Sequence, residues 1–252
     1  MWNIAAASPF AVLGRAARTA LDLVYPPSGL ACRRAIAGHG ALCGECWSAM
    51  RFIERPFCDR LGTPFEHDLG PGLLSPQAVA DPPVFGRARA VARFEDGPAR
   101  RLVHWLKYSD REELARPLGA WMARAGAEIL ATADVLAPVP LHPLRLWSRR
   151  FNQAAALGHA VARHAGIPCE TGLLARVKPT KSQVGMTRLQ RAQNVQGAFR
   201  APADAALKGR RVILIDDVLT SGATANAASR ALLRGGAASV DVLVFARVVT
   251  DA

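Results

Sequence analysis

Val212-Ile213-Leu214-Ile215-Asp216-Asp217-Val218-Leu219-Thr220-Ser221-Gly222-Ala223-Thr224 decides how this chain folds. The unbroken apolar run 212–215 predicts a strand buried on both faces. That strand delivers Asp216 and Asp217 at its C-terminal end, the edge at which open parallel sheets bind ligands. Thr220, Ser221, Gly222, Ala223 and Thr224 then open a helix predicted over 223–234. Backbone N–H groups at a helix start, small hydroxyl side chains and a glycine that admits close approach make a phosphate cradle. Two carboxylates beside a phosphate repel it unless they hold another part of the same ligand. Ribose hydroxyls, or a Mg²⁺ ion bridging to further phosphates, fit that role. An isolated Asp-Asp pair would serve as a helix cap. Here strand, acidic pair, hydroxyl-glycine loop and helix follow in order, which marks a site. The loop lacks the Gly-Lys-Ser/Thr end of a Walker A motif and the G-x-G-x-x-G pattern of a dinucleotide turn.

Outward from this stretch, strand and helix patterns alternate. Gly235-Gly236 stops the helix, and 240–248 (VDVLVFARV) reads as another buried strand. Upstream, 88–94 and 135–139 read as strands, while 98–107, 113–130 and 152–165 carry apolar residues at helical spacing. Alternation of this kind predicts an α/β fold, a mostly parallel sheet flanked by helices, over 84–252. Residues 31–83 are rich in Cys, Gly and Pro and read as a small loop-dominated module ended by Asp81-Pro82-Pro83. Residues 1–30 read as a helix closed by Tyr25-Pro26-Pro27.

Composition narrows the class. Half of the 252 residues are hydrophobic, enough for a packed core, which excludes a disordered chain. Five cysteines are too few, and odd in number, for a secreted disulfide framework. No apolar run approaches membrane-spanning length, and the start lacks a basic region ahead of its apolar part, so a cytoplasmic protein is expected. The formal charge is +12. Residues 1–80 hold 7 Lys/Arg and 6 Asp/Glu, leaving 25 basic and 14 acidic residues in 81–252. That excess suits anions: nucleic acid, phosphorylated small molecules or a membrane surface.

The Asp216-to-Thr224 stretch resembles the 5-phosphoribosyl-1-pyrophosphate (PRPP) motif of type I phosphoribosyltransferases. The segments 57–65, 102–111, 149–154 and 182–199 resemble those of the ComF family, the competence-associated branch of that fold. The resemblance implies a type I phosphoribosyltransferase fold preceded by a small zinc-ribbon-like module. It implies that Asp216 and Asp217 hold the ribose hydroxyls, and that Thr220 to Thr224 wrap the 5-phosphate. Val139-Pro140 ends a strand where the family places its pyrophosphate loop, and Lys107 lies where it places a ligand-facing lysine.

A pyrophosphate site should gather cations and donors. Arg149, Arg150, Asn152 and Gln153 follow the pyrophosphate loop and open a helix, positions suited to anion contact. Residues 178–198 read as a long loop with a short helix. In related transferases a loop near here closes over the pyrophosphate and excludes water; Arg188, Arg191 and Asn194 are the candidates for that hood. His104 and His142 read as structural. Displacement at the anomeric carbon passes through an oxocarbenium-like state, favoured by holding the departing pyrophosphate with Mg²⁺ and cations.

Cys43-Gly44-Glu45-Cys46 has the C-x-x-C spacing that zinc favours, and Cys32 and Cys58 flank it. The family pattern has paired knuckles, whereas Ala35 follows Cys32, Leu61 follows Cys58, and 73–76 reads Leu-Leu-Ser-Pro. Either Cys32, Cys43, Cys46 and Cys58 collect one zinc or the module folds on its apolar residues; one zinc is expected. Cys169 reads as a buried small hydrophobe.

Three functions are open at this point. The first, implied by the resemblance, is a PRPP-binding protein supporting single-stranded DNA handling in natural transformation, alongside the DNA-uptake machinery. There the cysteine module and nearby basic surface would contact DNA, with Trp47 and Phe57 stacking on bases. The second is a transferase moving phosphoribose to a base or amine. The third is a PRPP-responsive adaptor without turnover.

Overall fold

A computed structural model describes residues 26–68, 70–108, 111–149, 151–180, 185–202 and 207–249. Most of the expected N-terminal helix, together with Arg150 and Lys181, lies outside the described residues. The chain divides into two compact units, Met1–Ser48 and Ala49–Ala252. That boundary divides the expected 31–83 module and assigns 49–83 to the second unit.

In the first unit, Ser28 and Ala35 form an antiparallel bridge ahead of the short helix α1 (Gly44–Ser48).

The second unit opens with α2 (Pro76–Ala80), whose first turn is capped by the Ser75 side chain accepting from the Ala78 N–H. Strand β1 (Ala88–Arg93), helix α3 (Pro98–Tyr108), α4 (Ala115–Ala125), the single turn α5 (Ala127–Leu130) and strand β2 (Val135–Pro138) follow. Helices α6 (Pro143–Arg149) and α7 (Gln153–Ala165) precede a two-stranded antiparallel ribbon, β3 (Ala175–Arg176) with β4 (Phe199–Arg200). Helix α8 (Arg188–Val195) lies between those two short strands in sequence, and strand β5 (Arg211–Leu219), helix α9 (Ala223–Arg234) and strand β6 (Ser239–Arg247) complete the unit.

The main sheet has the order β1-β6-β5-β2, and every pairing in it is parallel. Alternation along β5 and β6 builds two buried layers. Val212, Leu214, Val240, Val242 and Val244 join a cluster with Ala228 and Leu232 of α9. On the other face, a Cβ added at Gly126 would meet Leu243, one at Gly158 would meet Ile215, and Trp121 of α4 stacks on Phe245 at 6.3 Å. Helices α4 and α7 cross closely there, because Gly119 has no side chain; a Cβ on it would lie 2.4 Å from that of Ala160.

Both rims of the sheet are occupied. At β1, the Ile53 N–H donates to Val91 O, the Arg93 N–H to Arg51 O, and Phe52 bridges Ala92 antiparallel. At β2, the Leu136 N–H donates to Pro168 O, the Glu170 N–H to Leu136 O, and Cys169 bridges Leu136 in parallel. From β2 the chain passes through α7 to the Cys169 segment on one side, whereas β5 and β6 lie on the other. Strand order therefore reverses between β2 and β5, and the crevice beyond their C-terminal ends is the expected place for a ligand.

Candidate functional site

Pro138 of β2 pairs with Ile215 of β5, so the two strands deliver the Val139-Pro140 loop and Asp216-Asp217 to the same edge. The Val139 N–H donates to Ile215 O at 2.9 Å, which fixes that loop against the acidic pair. Asp217 is buried, at 8% exposure, and its Oδ2 lies 2.9 Å from Nζ of Lys107, at the C-terminal end of α3. The Asp217 N–H donates to Oδ1 of Asp216 at 2.9 Å. Burial, and after it the charge of Asp217, pushes the Asp216 carboxyl up to about 7. A carboxyl held near neutrality at a strand end is a group arranged to exchange its proton for a ligand contact.

The Thr220–Thr224 segment follows as a turn into a helix. Gly222 takes φ +78°, the left-handed region that favours glycine, and lets the chain turn from β5 into α9. Its carbonyl accepts from the Asn226 N–H at 2.8 Å. Ala223 and Thr224 form the first turn of α9. Ser221 Oγ is buried without a hydrogen-bond partner, an unpaired donor inside the loop.

The expected pyrophosphate groups divide. Arg149 lies over the Tyr108 ring at 5.1 Å, and its Nη1 donates to Gln153 Oε1 at 3.3 Å. Asn152 caps α7 by accepting from the Ala154 N–H, and its Nδ2 donates to Val139 O at 3.1 Å, so it braces the loop. Arg188, on α8, pairs with Asp81 and lines a depression with Thr220, Ser221 and Gly222. Arg191 donates to Met186 O at 3.1 Å, within its own segment.

Three arginines missed in the sequence belong to this region. Arg145 donates to Thr180 O at 2.8 Å; burial, then Arg149, lowers its pKa. Arg176 lies over Phe199 at 5.3 Å and pairs with Thr180 Oγ1, and burial and then Arg145 lower its pKa against the pull of Asp216. Arg247 lines the depression beside the Thr220–Gly222 turn. Arg145 and Arg176 sit in elements too short or polar for a periodicity signal. Arg247, a charge inside the apolar run 240–248, was the legible one.

In the first unit, the sulfurs of Cys32, Cys43 and Cys46 all lie within 4.8 Å of one another. The Cys46 N–H donates to Cys43 Sγ at 3.4 Å, the knuckle arrangement, and lowers the Cys43 pKa. Sulfurs about 2.3 Å from a zinc stand close to 4 Å apart, so these three fit that ion. The fourth expected ligand is Cys58. It is fully buried in the second unit, and its Sγ accepts from the N–H groups of Leu61 and Ser75 at 3.4 and 3.2 Å. Leucine at position 61 offers no ligand atom where a second knuckle cysteine would stand. Phe57 carries two guanidiniums, Arg55 and Arg89, at 4.7 and 4.6 Å from its centre, which occupy its ring. Trp47 is 53% exposed.

Comparison with known proteins adds the following. Residues 152–251 match the phosphoribosyl transferase domain, and residues 20–77 the double zinc ribbon domain. The chain is 31% identical over 225 residues to DNA utilization protein YhgH of Salmonella typhimurium, covering 86% of this chain and 96% of that one. It is 28% identical over 218 residues to Competence protein F of Haemophilus influenzae, covering 84% and 92%. Among solved structures, the glutamine PRPP amidotransferase of B. subtilis is similar over 56% of this chain and 30% of its own, with 22% identity and a TM-score of 0.34. No helix among the described residues is long and apolar enough to cross a membrane.

Proposed function

This chain belongs to the ComF family, which includes Competence protein F and DNA utilization protein YhgH, and on that premise we propose that it binds PRPP with Mg²⁺ at the C-terminal edge of β5 and serves single-stranded DNA handling in natural transformation. The observation that carries PRPP binding is the placement of Asp216 and Asp217 at the switch point, directly before the Thr220–Thr224 cradle. The same site would sit in a cytoplasmic protein working beside the DNA-uptake machinery.

Each residue has a task in this reading. Asp216 and Asp217 accept hydrogen bonds from the ribose hydroxyls. Backbone N–H groups of Ser221 to Thr224, the hydroxyls of Thr220 and Thr224, and the unpartnered Ser221 Oγ hold the 5-phosphate. Lys107 pairs with Asp217, Arg176 interacts with the charge of Asp216, and Arg145 and Arg149 extend this group of cations; together they would answer the pyrophosphate charge. Val139-Pro140, braced by Asn152, shapes the pyrophosphate side of the crevice. Arg188 and Arg191, on α8, are the hood residues, with Arg188 already beside the loop. Mg²⁺, for which the two carboxylates are hard oxygen donors, would neutralise phosphate charge when bound. The three-cysteine group would hold one structural zinc in the first unit.

Calorimetry with PRPP and Mg²⁺, repeated on Asp216→Asn/Asp217→Asn, tests the site. Binding by the wild type and loss in the double variant is expected; equal affinity removes the assignment. The cation cluster also favours a second reading, a transferase, since the same groups would hold departing pyrophosphate. Pyrophosphate release with a panel of bases and amines supports turnover, whereas none in the presence of bound PRPP leaves the adaptor. For DNA, fluorescence titration with a single-stranded oligonucleotide over a salt series should give a negative slope, and a slope near zero counts against phosphate contacts. With the Phe57 ring taken, Trp47 is the stacking residue to replace.

A further inference from the structure

We infer that Arg247 is a binding residue for the phosphoryl group in the Thr220–Thr224 loop, the cation that gives this cradle its preference for a sugar 5-phosphate. The inference rests on the PRPP reading of the site and assigns it a residue outside the loop itself.

Arg247 ends β6 in register with Leu219, the residue that leads into the loop. It is 4% exposed, yet it lines the same depression as Thr220, Ser221, Gly222 and Asn226. Its hydrogen bonds run to main-chain carbonyls: Nε donates to Val248 O at 3.4 Å, and Nη1 donates to Leu61 O. Burial lowers its pKa to about 10, which still leaves it charged at neutral pH.

A buried guanidinium bonded to carbonyls is costly, because desolvation removes water, and here the Cys58 sulfur offsets the loss only in part. The other buried arginine among the described residues, Arg89, is answered by Asp59 and Glu128. Arg188, the other arginine lining the depression, is answered by Asp81. Among the described residues, no carboxylate forms an ion pair with Arg247. A guanidinium has five N–H donors, and among the described residues Nε and Nη1 have acceptors, so Nη2 is left for a further one. Beside it stand Ser221 Oγ, buried and unpartnered, and the start of α9. A dianionic phosphoryl group satisfies all three together.

The test compares ribose 5-phosphate with inorganic pyrophosphate, by calorimetry on the full chain, for wild type, Arg247→Met and Arg247→Lys. Ribose 5-phosphate probes the loop and pyrophosphate the opposite end of the site. Arg247→Met should weaken ribose 5-phosphate by about tenfold or more and leave pyrophosphate within about twofold, since a lost charged hydrogen bond has that order of effect. Arg247→Lys should recover part of the loss, as it keeps the charge but not the fork. Unchanged ribose 5-phosphate binding in Arg247→Met, or equal loss of both ligands in a protein that still melts cooperatively, overturns the inference. If Arg247→Met does not fold, Arg247→Lys decides: selective weakening of ribose 5-phosphate supports the assignment, and wild-type affinity for both overturns it. A wild type that binds neither ligand overturns the PRPP reading itself.

Discussion

Lys107 and Asp217 join the end of α3 to the end of β5, with Nζ 2.9 Å from Oδ2 and side chains 23% and 11% exposed. The pair brings a cation from one helix to the carboxylate of a strand far away in sequence. It ties the ligand edge to the helix that carries Tyr108, against which Arg149 rests. Lys107→Met should lower PRPP affinity about tenfold and cost about 1–2 kcal/mol of stability, because it strands a mostly buried carboxylate. Calorimetry reads the first effect and a urea midpoint the second.

Asp216 gives the site a pH dependence. Its carboxyl is raised to about 7 by burial and by Asp217, so a ligand that needs the carboxylate must displace a proton below that value. Affinity for PRPP with Mg²⁺ should therefore climb as pH rises to about 7 and level off above it. In Asp216→Asn the climb should flatten. Stability runs the other way: a raised carboxyl costs nothing below the unfolded value near 3.9, and its penalty grows with pH until the folded value is passed. Thermal melts of the unliganded protein should show Asp216→Asn gaining on wild type between pH 4 and pH 8.

Arg89 holds the Cys58 segment to the sheet. At 2% exposure it pairs with Asp59 and Glu128 and lies over Phe57. Burial tends to raise the Glu128 pKa, but hydrogen bonds and charge from Arg55 and Arg89 outweigh it, and the value falls. Arg89→Met should cost about 3 kcal/mol, the loss expected when a buried pair is broken from one side. The exposed Arg55→Ala should cost less than about 1 kcal/mol. Guanidinium midpoints separate the two.

The sequence exposed most of the sheet and one side of the site. Continuous apolar runs make β5 and β6 unmistakable, and Gly235-Gly236 stops α9 at the predicted residue. Asp216, Asp217 and Gly222 were legible because a strand, a turn and a helix sit within a dozen residues. Arg145 and Arg176 were not, because α6 and β3 are too short for hydrophobic periodicity, and tertiary packing alone brings Arg176 near Asp216 and Arg145 near Arg176. Asn152 was seen as an anion contact, but its side chain is spent on the Ala154 N–H and Val139 O, which spacing cannot reveal.

The metal count follows from Cys58. Leucine at position 61 stands where a second knuckle cysteine would, so Cys58 is expected not to be needed for the zinc of the Cys32, Cys43 and Cys46 group. Elemental analysis of protein purified without chelator should find about one zinc per chain. Cys43→Ser should lose it and Cys58→Ser should keep it. Two zinc ions per chain, or loss of zinc in Cys58→Ser, would contradict this assignment.

The rims of the parallel sheet bear on how copies of this chain meet. Residues 51–53 lie along β1, and residues 168–170 lie along β2. An extended peptide approaching either side finds main-chain donors and acceptors already taken. Growth by strand addition directly on β1 or β2 is thereby hindered. Association of this unit is thereby steered toward side chains on its helices and loops, where charge and shape discriminate between partners.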